Sequence, residues 1–220
     1  VKEALTLTVD GTEPMSAAVV SAVQQVCDRA EAQGGSGILT VHVSGAPSGD
    51  WTSGLDVMLV SKWERTLRRL ERLPVATVAV AGGDCGGTAL DAFLAVDVRA
   101  ATNGTRLLIP RDATATWPGM AGYRLVALVG TARIRRAVLF GLPIEAPEAL
   151  RLGIVDEIVD EPAAATAAVA GLASGLVGKE LAIRRQLLFD AATMSFEDAL
   201  GPHLAACDRA LRGTAQQEAS

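Results

Sequence analysis

The spacing of apolar positions along the first half of the chain switches repeatedly between the period of a strand and that of a helix. Ala4 to Gly11, ALTLTVDG, alternates apolar and polar residues and predicts a half-buried strand closed by a turn. Pro14 suits the first turn of a helix. Val19, Val23, Val26, Cys27 and Ala30 then recur at helical spacing until QGGSG, Gln33 to Gly37, stops the run. ILTVHV, Ile38 to Val43, reads as a β-branched strand, and Ser44 to Gly54 as a long loop of turn-forming residues. Asp56 to Leu73 is amphipathic and ends before Pro74. VATVAVA, Val75 to Ala81, is a near-continuous apolar run, the pattern of a strand covered on both faces. After the glycine-rich residues Gly82 to Gly87 come a short helix through Ala95 and strand-like runs at Asp97 to Ala101 and Arg106 to Ile109. From Gly119 the pattern is helical, punctuated by Gly130, Gly141, Gly153, Gly171 and Gly178 and interrupted by one predicted strand, Gly153 to Val159. The last helix carries Phe196, Leu200, Leu204, Cys207 and Leu211 on one stripe, and GTAQQEAS reads as a frayed tail.

Strand alternating with helix predicts an α/β fold of βαβ units with buried, parallel strands. The helical C-terminal third predicts a separate layer able to clasp a neighbouring subunit. Composition narrows this. With 220 residues, half of them hydrophobic, the chain suits one sizeable domain, and with only 4% aromatics its core must be mostly Ala, Val and Leu. A net charge of −5 leaves no electrostatic footprint for nucleic acid. Cys27, Cys85 and Cys207 are far apart with no C-x-x-C, which argues against a disulfide framework or a zinc site and for a reducing, cytoplasmic setting. The start of the chain lacks a basic-then-apolar signal pattern. Pro162 to Gly178 is uncharged and rich in Ala and Gly, yet falls just short of the ~18 apolar residues of a membrane span; it predicts a buried helix.

Candidate chemistry concentrates in VAGGDCGGTALD, Val80 to Asp91. A phosphate loop needs G-x-x-x-x-G-K-[ST], but Gly82 and Gly87 are followed by Thr88 and Ala89. The G-x-G-x-x-G spacing of a dinucleotide site does not occur in GGDCGG. Cys85 as a nucleophile would need a base or a positive field; the two histidines are His42, inside a predicted strand, and His203, near the end. A small buried thiol is the plainer reading. His203 and Cys207 are four apart on one helix, but two ligands do not make a metal site, and no G-x-S-x-G appears. Two readings of the glycines remain open. One is backbone N–H donors at a strand-to-helix turn, poised for an oxyanion; the other is close packing alone.

With its surroundings, this segment resembles the crotonase (enoyl-CoA hydratase/isomerase) superfamily. The similarity runs from Leu73 to Ala101, through LLIPRDATATWPGMAGYRLVALVG (Leu107 to Gly130), to Ala132 to Val159, and upstream TSGLD, Thr52 to Asp56, resembles the family's A-G-x-D segment. The resemblance implies a crotonase-like ββα spiral. Residues 1–160 would form the acyl-CoA-binding core, 161–212 a helical oligomerisation region that gives homotrimers or hexamers, and 213–220 a disordered tail. In that family two backbone N–H groups grip the thioester carbonyl of an acyl-CoA and stabilise its enolate. By position these would be Leu55, after Gly54, and Thr88, after Gly87. Coenzyme A arrives as part of the substrate, and no further cofactor is implied.

The departures are as informative. Family hydratases use two glutamates on water, and by position the first falls on Asp91, the second on Arg111. Arginine stays protonated and cannot exchange that proton. Asp112 is adjacent, but a one-residue shift on an extended segment turns its side chain away. Asp91 is therefore the candidate acid/base, or else a supporting carboxylate. Arg111 either faces an anionic part of the substrate or pairs at the surface, and if it stood near Asp91 it would keep that acid ionised. Lys62, Arg65, Arg68 and Arg69 read as a solvated helix face rather than a phosphate site. The short chain, the AGGDCGGTALD loop and the missing second glutamate most resemble the small crotonase-like proteins that accompany a type III polyketide synthase in making 3,5-dihydroxyphenylacetyl-CoA, the precursor of dihydroxyphenylglycine in glycopeptide antibiotics. That likeness implies dehydration and aromatisation of a polyketide-CoA, with the synthase or a sister crotonase as partner. Two alternatives stand beside it: a hydratase or isomerase of general metabolism, and a non-catalytic acyl-CoA-binding or scaffold protein.

Overall fold

The computed structural model describes residues 5–35, 37–112, 114–173 and 179–218. Strand β1 (Leu5–Asp10), helix α1 (Ala17–Ala32), β2 (Ile38–Gly45), α2 (Val57–Leu70) and β3 (Ala76–Gly86) alternate as the pattern predicted, and the three strands pair in parallel, β1 beside β2 and β2 beside β3. Leu5, Leu7 and Val9 of β1 point into the core, while Thr6, Thr8 and Asp10 face out. Helix α3 (Thr88–Leu94) leads to β4 (Val98–Ala101), parallel to β3. After β5 (Arg106–Leu108) come α4 (Met120–Val129), α5 (Thr131–Phe140), β6 (Ile144–Glu145), α6 (Ala146–Leu152) and β7 (Glu157–Ile158). The main sheet order is β1-β2-β3-β4-β7, with β5 on the far end of β3 and β6 antiparallel to β5.

One predicted loop is a strand. β3 does not stop at Ala81 but runs through Gly86, because it changes partner on the way: Val78 to Ala81 lie beside β4, and Asp84 to Gly86 beside β5. Gly83 sits between the two ladders with φ +62°, a conformation that glycine adopts without a Cβ penalty. The predicted strand at Gly153 to Val159 contracts to two residues. Gly153 caps α6 in the left-handed region, and the turn that follows buries Ile154 and Val155 in the core.

Two apolar layers cover the sheet. The larger, under α1, α2 and α3, contains Leu39, Val41, Trp63, Leu67, Leu70 and Phe93. The smaller holds Ala76, Val78 and Val80 of β3 against Ala165 and Val169 of α7 (Pro162–Ala173), so β3 is covered on both faces as its sequence predicted. Helix α7 itself is not buried all round. Among its described side chains only Ala165 and Val169 are buried, and Leu172 is 75% exposed. Alanine makes a thin helix without an apolar stripe wide enough to sink it. Residues 174–178, the rest of that predicted helix, lie outside the described residues. No described helix is long and apolar enough to cross a membrane.

Helix α8 (Glu180–Ala191) returns to the sheet through Leu181, packed on the smaller apolar layer, and through Arg185, whose guanidinium donates to Asp97 and to the carbonyls of Leu73 and Val75. Helix α9 (Phe196–Glu218) continues through residues predicted as a frayed tail. Its stripe of Phe196, Leu200, Leu204 and Leu211 is exposed. At the start of α2, Asp56 of the TSGLD segment is the N-cap, its Oδ1 accepting from the Leu59 N–H at 2.7 Å. Asp56→Ala is expected to lower unfolding free energy by about 1 kcal/mol, and Asp56→Asn much less, as read by urea denaturation.

Candidate functional site

The site grows from the turn between β3 and α3. At Gly86 a Cβ would stand 2.9 Å from the Ala46 Cβ and 3.0 Å from the Leu108 carbonyl oxygen. At Gly87, with φ +56°, it would stand 3.0 Å from Pro47. These two glycines let the loop of residues 46–55 lie directly on the turn, so close approach accounts for them. The same turn also leaves a donor. The Thr88 N–H opens α3 and makes no hydrogen bond among the described residues, and the Thr88 Oγ1 is buried with no partner. The Leu55 N–H differs: it donates to the Thr52 carbonyl at 3.1 Å, inside the turn that includes Gly54. The two donors implied by position are therefore in unequal states, one free and one engaged.

Asp91 lies one turn further along α3, its N–H bonded to the Gly87 carbonyl at 3.0 Å. It is 7% exposed, and its Oδ2 accepts the indole N–H of Trp63 at 3.0 Å. Burial pushes its carboxyl up to about 7, and the nearby Glu64 carboxylate adds to this; the Trp63 hydrogen bond and the Arg124 guanidinium act in the opposite direction. Glu64 and Arg124 belong to a chain of charges between α2 and α4. Arg124 donates to Glu64 at 2.9 Å and to Glu71 at 2.7 Å, and Arg68 closes onto Glu71 at 2.7 Å. A cleft of about 380 Å³ lies over this chain, lined by Ser61, Glu64, Arg68, Glu71, Tyr123 and Arg124 among others.

The condition under which Arg111 would keep Asp91 ionised is not met, because Arg111 is not among the groups that act on it. Arg111 is exposed on the turn that bridges it to Thr116, and its side-chain stem lies against Gly141 at the end of α5. The charges that act on Asp91 are Glu64 and Arg124, and burial outweighs both. The reason is positional: α3 carries Asp91 inward beneath α2, whereas residue 111 follows β5 out to the surface. Asp112 is also committed locally, accepting from the Thr114 N–H and hydroxyl at 2.7 Å each and from the Ala115 N–H at 2.9 Å. Cys85 is fully buried, its thiol pushed up by desolvation and by Asp91, which leaves it protonated and inert.

On the predicted basic face of α2, Arg69 pairs with Asp28 and Glu31 at 2.6 Å each, and Arg68 lies over the Phe189 ring as well as on Glu71. Sequence reasoning missed Trp63, Glu64 and Arg124, and also the edge-to-face pair of Trp51 and Trp117, whose ring centroids are 5.2 Å apart. That pair ties the 46–55 loop to the mouth of an apolar cleft of about 440 Å³, lined by Ile109, Trp117, Pro118, Val126, Val138 and Leu139 among others. One signal was available. In a chain with 4% aromatics, one tryptophan ends on Asp91 and the other two pair beside the apolar cleft.

Comparison with known proteins identifies the family and the fold. The family model described as enoyl-CoA hydratase/isomerase matches residues 49–219. The chain is 55% identical over 208 residues to an enoyl-CoA-hydratase of Amycolatopsis orientalis, covering 94% of this chain and 96% of the relative. Among solved structures, an enoyl-CoA hydratase from Shewanella pealeana superimposes with a TM-score of 0.79 at 17% identity, over 96% of this chain and 86% of that one. An enoyl-CoA hydratase/isomerase from Marinobacter aquaeolei gives 0.76 at 17% identity, over 96% and 89%; at such identity these two speak to the fold alone. By the family match and the close relative, this chain belongs to the enoyl-CoA hydratase/isomerase family.

Proposed function

We propose that the protein is an acyl-CoA hydro-lyase that assists dehydration and aromatisation of a polyketide-CoA. The observation that carries this is a single buried carboxyl, Asp91, held near neutrality three residues beyond the free Thr88 N–H on the same short helix. A general acid/base works best when its pKa lies near the working pH, since it must both give and take the proton. Loss of water from a β-hydroxy thioester passes through an enolate, whose oxygen carries charge only after the α-proton leaves. A fixed N–H at that oxygen favours the transition state over the bound substrate. Thr88 supplies one such donor, and Leu55 supplies a second when the turn at Thr52 to Gly54 releases it. Gly54 leaves open space beside Leu55, and Gly87 makes room for Pro47 beside Thr88. Arg111, exposed and without a role on Asp91, meets an anionic group on the extended acyl chain.

A non-catalytic role is the second reading, an acyl-CoA-binding partner of a type III polyketide synthase or of a sister crotonase. It is favoured by the engaged Leu55 N–H and by arginine at the place of the second acid. In either case the exposed stripe on α9 is where we place assembly into homotrimers or hexamers. Product analysis from malonyl-CoA and a type III synthase, with and without this protein, tests the proposal. Added protein is expected to raise the yield of the dihydroxyphenylacetyl product, and Asp91→Asn to remove the gain. If Asp91→Asn sustains the full gain, the protein assists by binding. If crotonyl-CoA is hydrated at ordinary hydratase rates, the general-metabolism reading replaces both.

A further inference from the structure

Trp63 is fully buried in the largest apolar layer, yet its one polar atom, an indole nitrogen that can only donate, ends on the one buried acid of α3. Among the described residues no hydrogen bond reaches the other oxygen, Oδ1. We propose that Trp63 is a positioning residue for Asp91: its N–H ties down Oδ2 and leaves Oδ1 as the oxygen that exchanges a proton with the acyl chain, while Glu64, pinned by Arg124, faces the carboxyl as its charged neighbour. This rests on the reading of Asp91 as the proton-exchanging acid.

The geometry restricts the carboxyl in two ways. Rotation of Asp91 would strand a buried indole N–H, so the side chain has one favoured orientation. Among the described residues the charged groups that act on it come from two elements: Glu64 from α2, next in sequence to Trp63, and Arg124 from α4; the neutral Cys85 thiol stands on β3. Glu64 is itself held by Arg124, which Glu71 holds in turn, so the charge facing Asp91 is fixed in place. The two consecutive residues therefore act in opposite senses. The Trp63 donor favours the carboxylate, and Glu64 disfavours it.

That opposition is the test. Trp63→Phe keeps an aromatic ring but removes the donor, and the titration of Asp91 is expected to rise by about one pH unit. Glu64→Gln removes the like charge, leaves Arg124 facing the acid, and is expected to lower the titration. Two readouts are required. One is carbon-13 NMR of isotope-labelled aspartate carboxyls, with Asp91 assigned by Asp91→Asn. The other is the pH profile of α-proton exchange of a saturated acyl-CoA in deuterium oxide. Shifts of opposite sign in both readouts support the proposal, whereas a merely structural role lowers the melting temperature and leaves both titrations in place. If Asp91→Asn abolishes exchange while Trp63→Phe leaves the titration unmoved, the positioning role is wrong and the reading of Asp91 stands. If exchange persists in Asp91→Asn, the catalytic reading fails and the positioning role with it. Should Trp63→Phe not fold, Glu64→Gln decides alone, and an unmoved titration in that variant overturns the proposal.

Discussion

Asp91→Asn is expected to lower turnover on an acyl-CoA substrate by roughly 10²- to 10⁴-fold, the usual contribution of a positioned general acid/base, and at the same time to make the protein more stable above neutral pH. The two effects share a cause. In the folded chain burial holds this carboxyl at about 7, against an ordinary aspartate value of 3.8. Below the ordinary value the acid is protonated in folded and unfolded chains alike and costs nothing. Between the two values the folded state keeps a proton that the unfolded state has released, so stability falls as pH rises through that window. Above about 7 the folded chain carries a buried carboxylate and the loss is complete. Asparagine is nearly the same shape, accepts the Trp63 N–H through its amide oxygen, and never ionises. Its gain over the parent protein is expected to be on the order of a few kcal/mol at pH 8 and to vanish near pH 3. Urea denaturation at pH 5 and pH 8, run beside the activity assay, separates these effects. A variant that loses activity with no pH-dependent gain in stability would place Asp91 in a solvated setting, against the buried one described above.

The largest expected stability effect lies elsewhere, at Arg185. Its side chain is 5% exposed and forks onto Asp97 with two bonds of 2.6 Å, while also donating to the Val75 carbonyl at 3.0 Å and to the Leu73 carbonyl. Asp97 further accepts from the Thr77 N–H and hydroxyl at 3.0 Å each. Removal of the guanidinium takes away the counter-charge of Asp97, which keeps its Thr77 bonds, and leaves two main-chain oxygens without this donor. Arg185→Ala is therefore expected to cost about 3–5 kcal/mol, the range for breaking a buried pair from one side. The loss should begin locally, since this contact is the polar anchor of α8 on the sheet, and undocking would open the apolar cleft formed by Ala76, Val98, Val169, Leu181 and Leu188. Hydrogen exchange across residues 180–191 should accelerate before the rest of the chain melts. Lysine cannot reproduce a planar fork, so Arg185→Lys should recover less than half of the loss. If Arg185→Lys unfolds at the parent protein's urea midpoint, the bidentate geometry is not what secures the helix.

How far the sequence reached depends on the range of the forces involved. The alternation in LTLTVD, the helical stripe Val23, Val26, Cys27 and Ala30, and the apolar run of β3 were legible because period and burial are local consequences of which face meets the core, although the stripe opens with the buried Val20 rather than the expected Val19, which is half-buried. The extension of β3 through Gly86 was not, because it depends on β5 arriving alongside, and a glycine-rich string gives no periodicity to announce it. The fate of α9 also escaped: its stripe was visible, but no composition rule separates a helix that continues to Glu218 from a fraying end.

At the site the division is sharper. From the sequence, resemblance placed a candidate acid at Asp91 and an arginine, Arg111, at the position of a second, and the glycine-rich turn before Thr88 was left open between a donor site and close packing. Only the tertiary structure decided what those residues meet. It sank Asp91 under α2 and α4, handed it Trp63, Glu64 and Arg124 rather than Arg111, and closed the Leu55 N–H onto Thr52. A carboxyl's working pKa is set by desolvation and by charges within a few ångströms. In this chain those charges sit 27 residues before Asp91 and 33 after it, so only the folded chain brings them together.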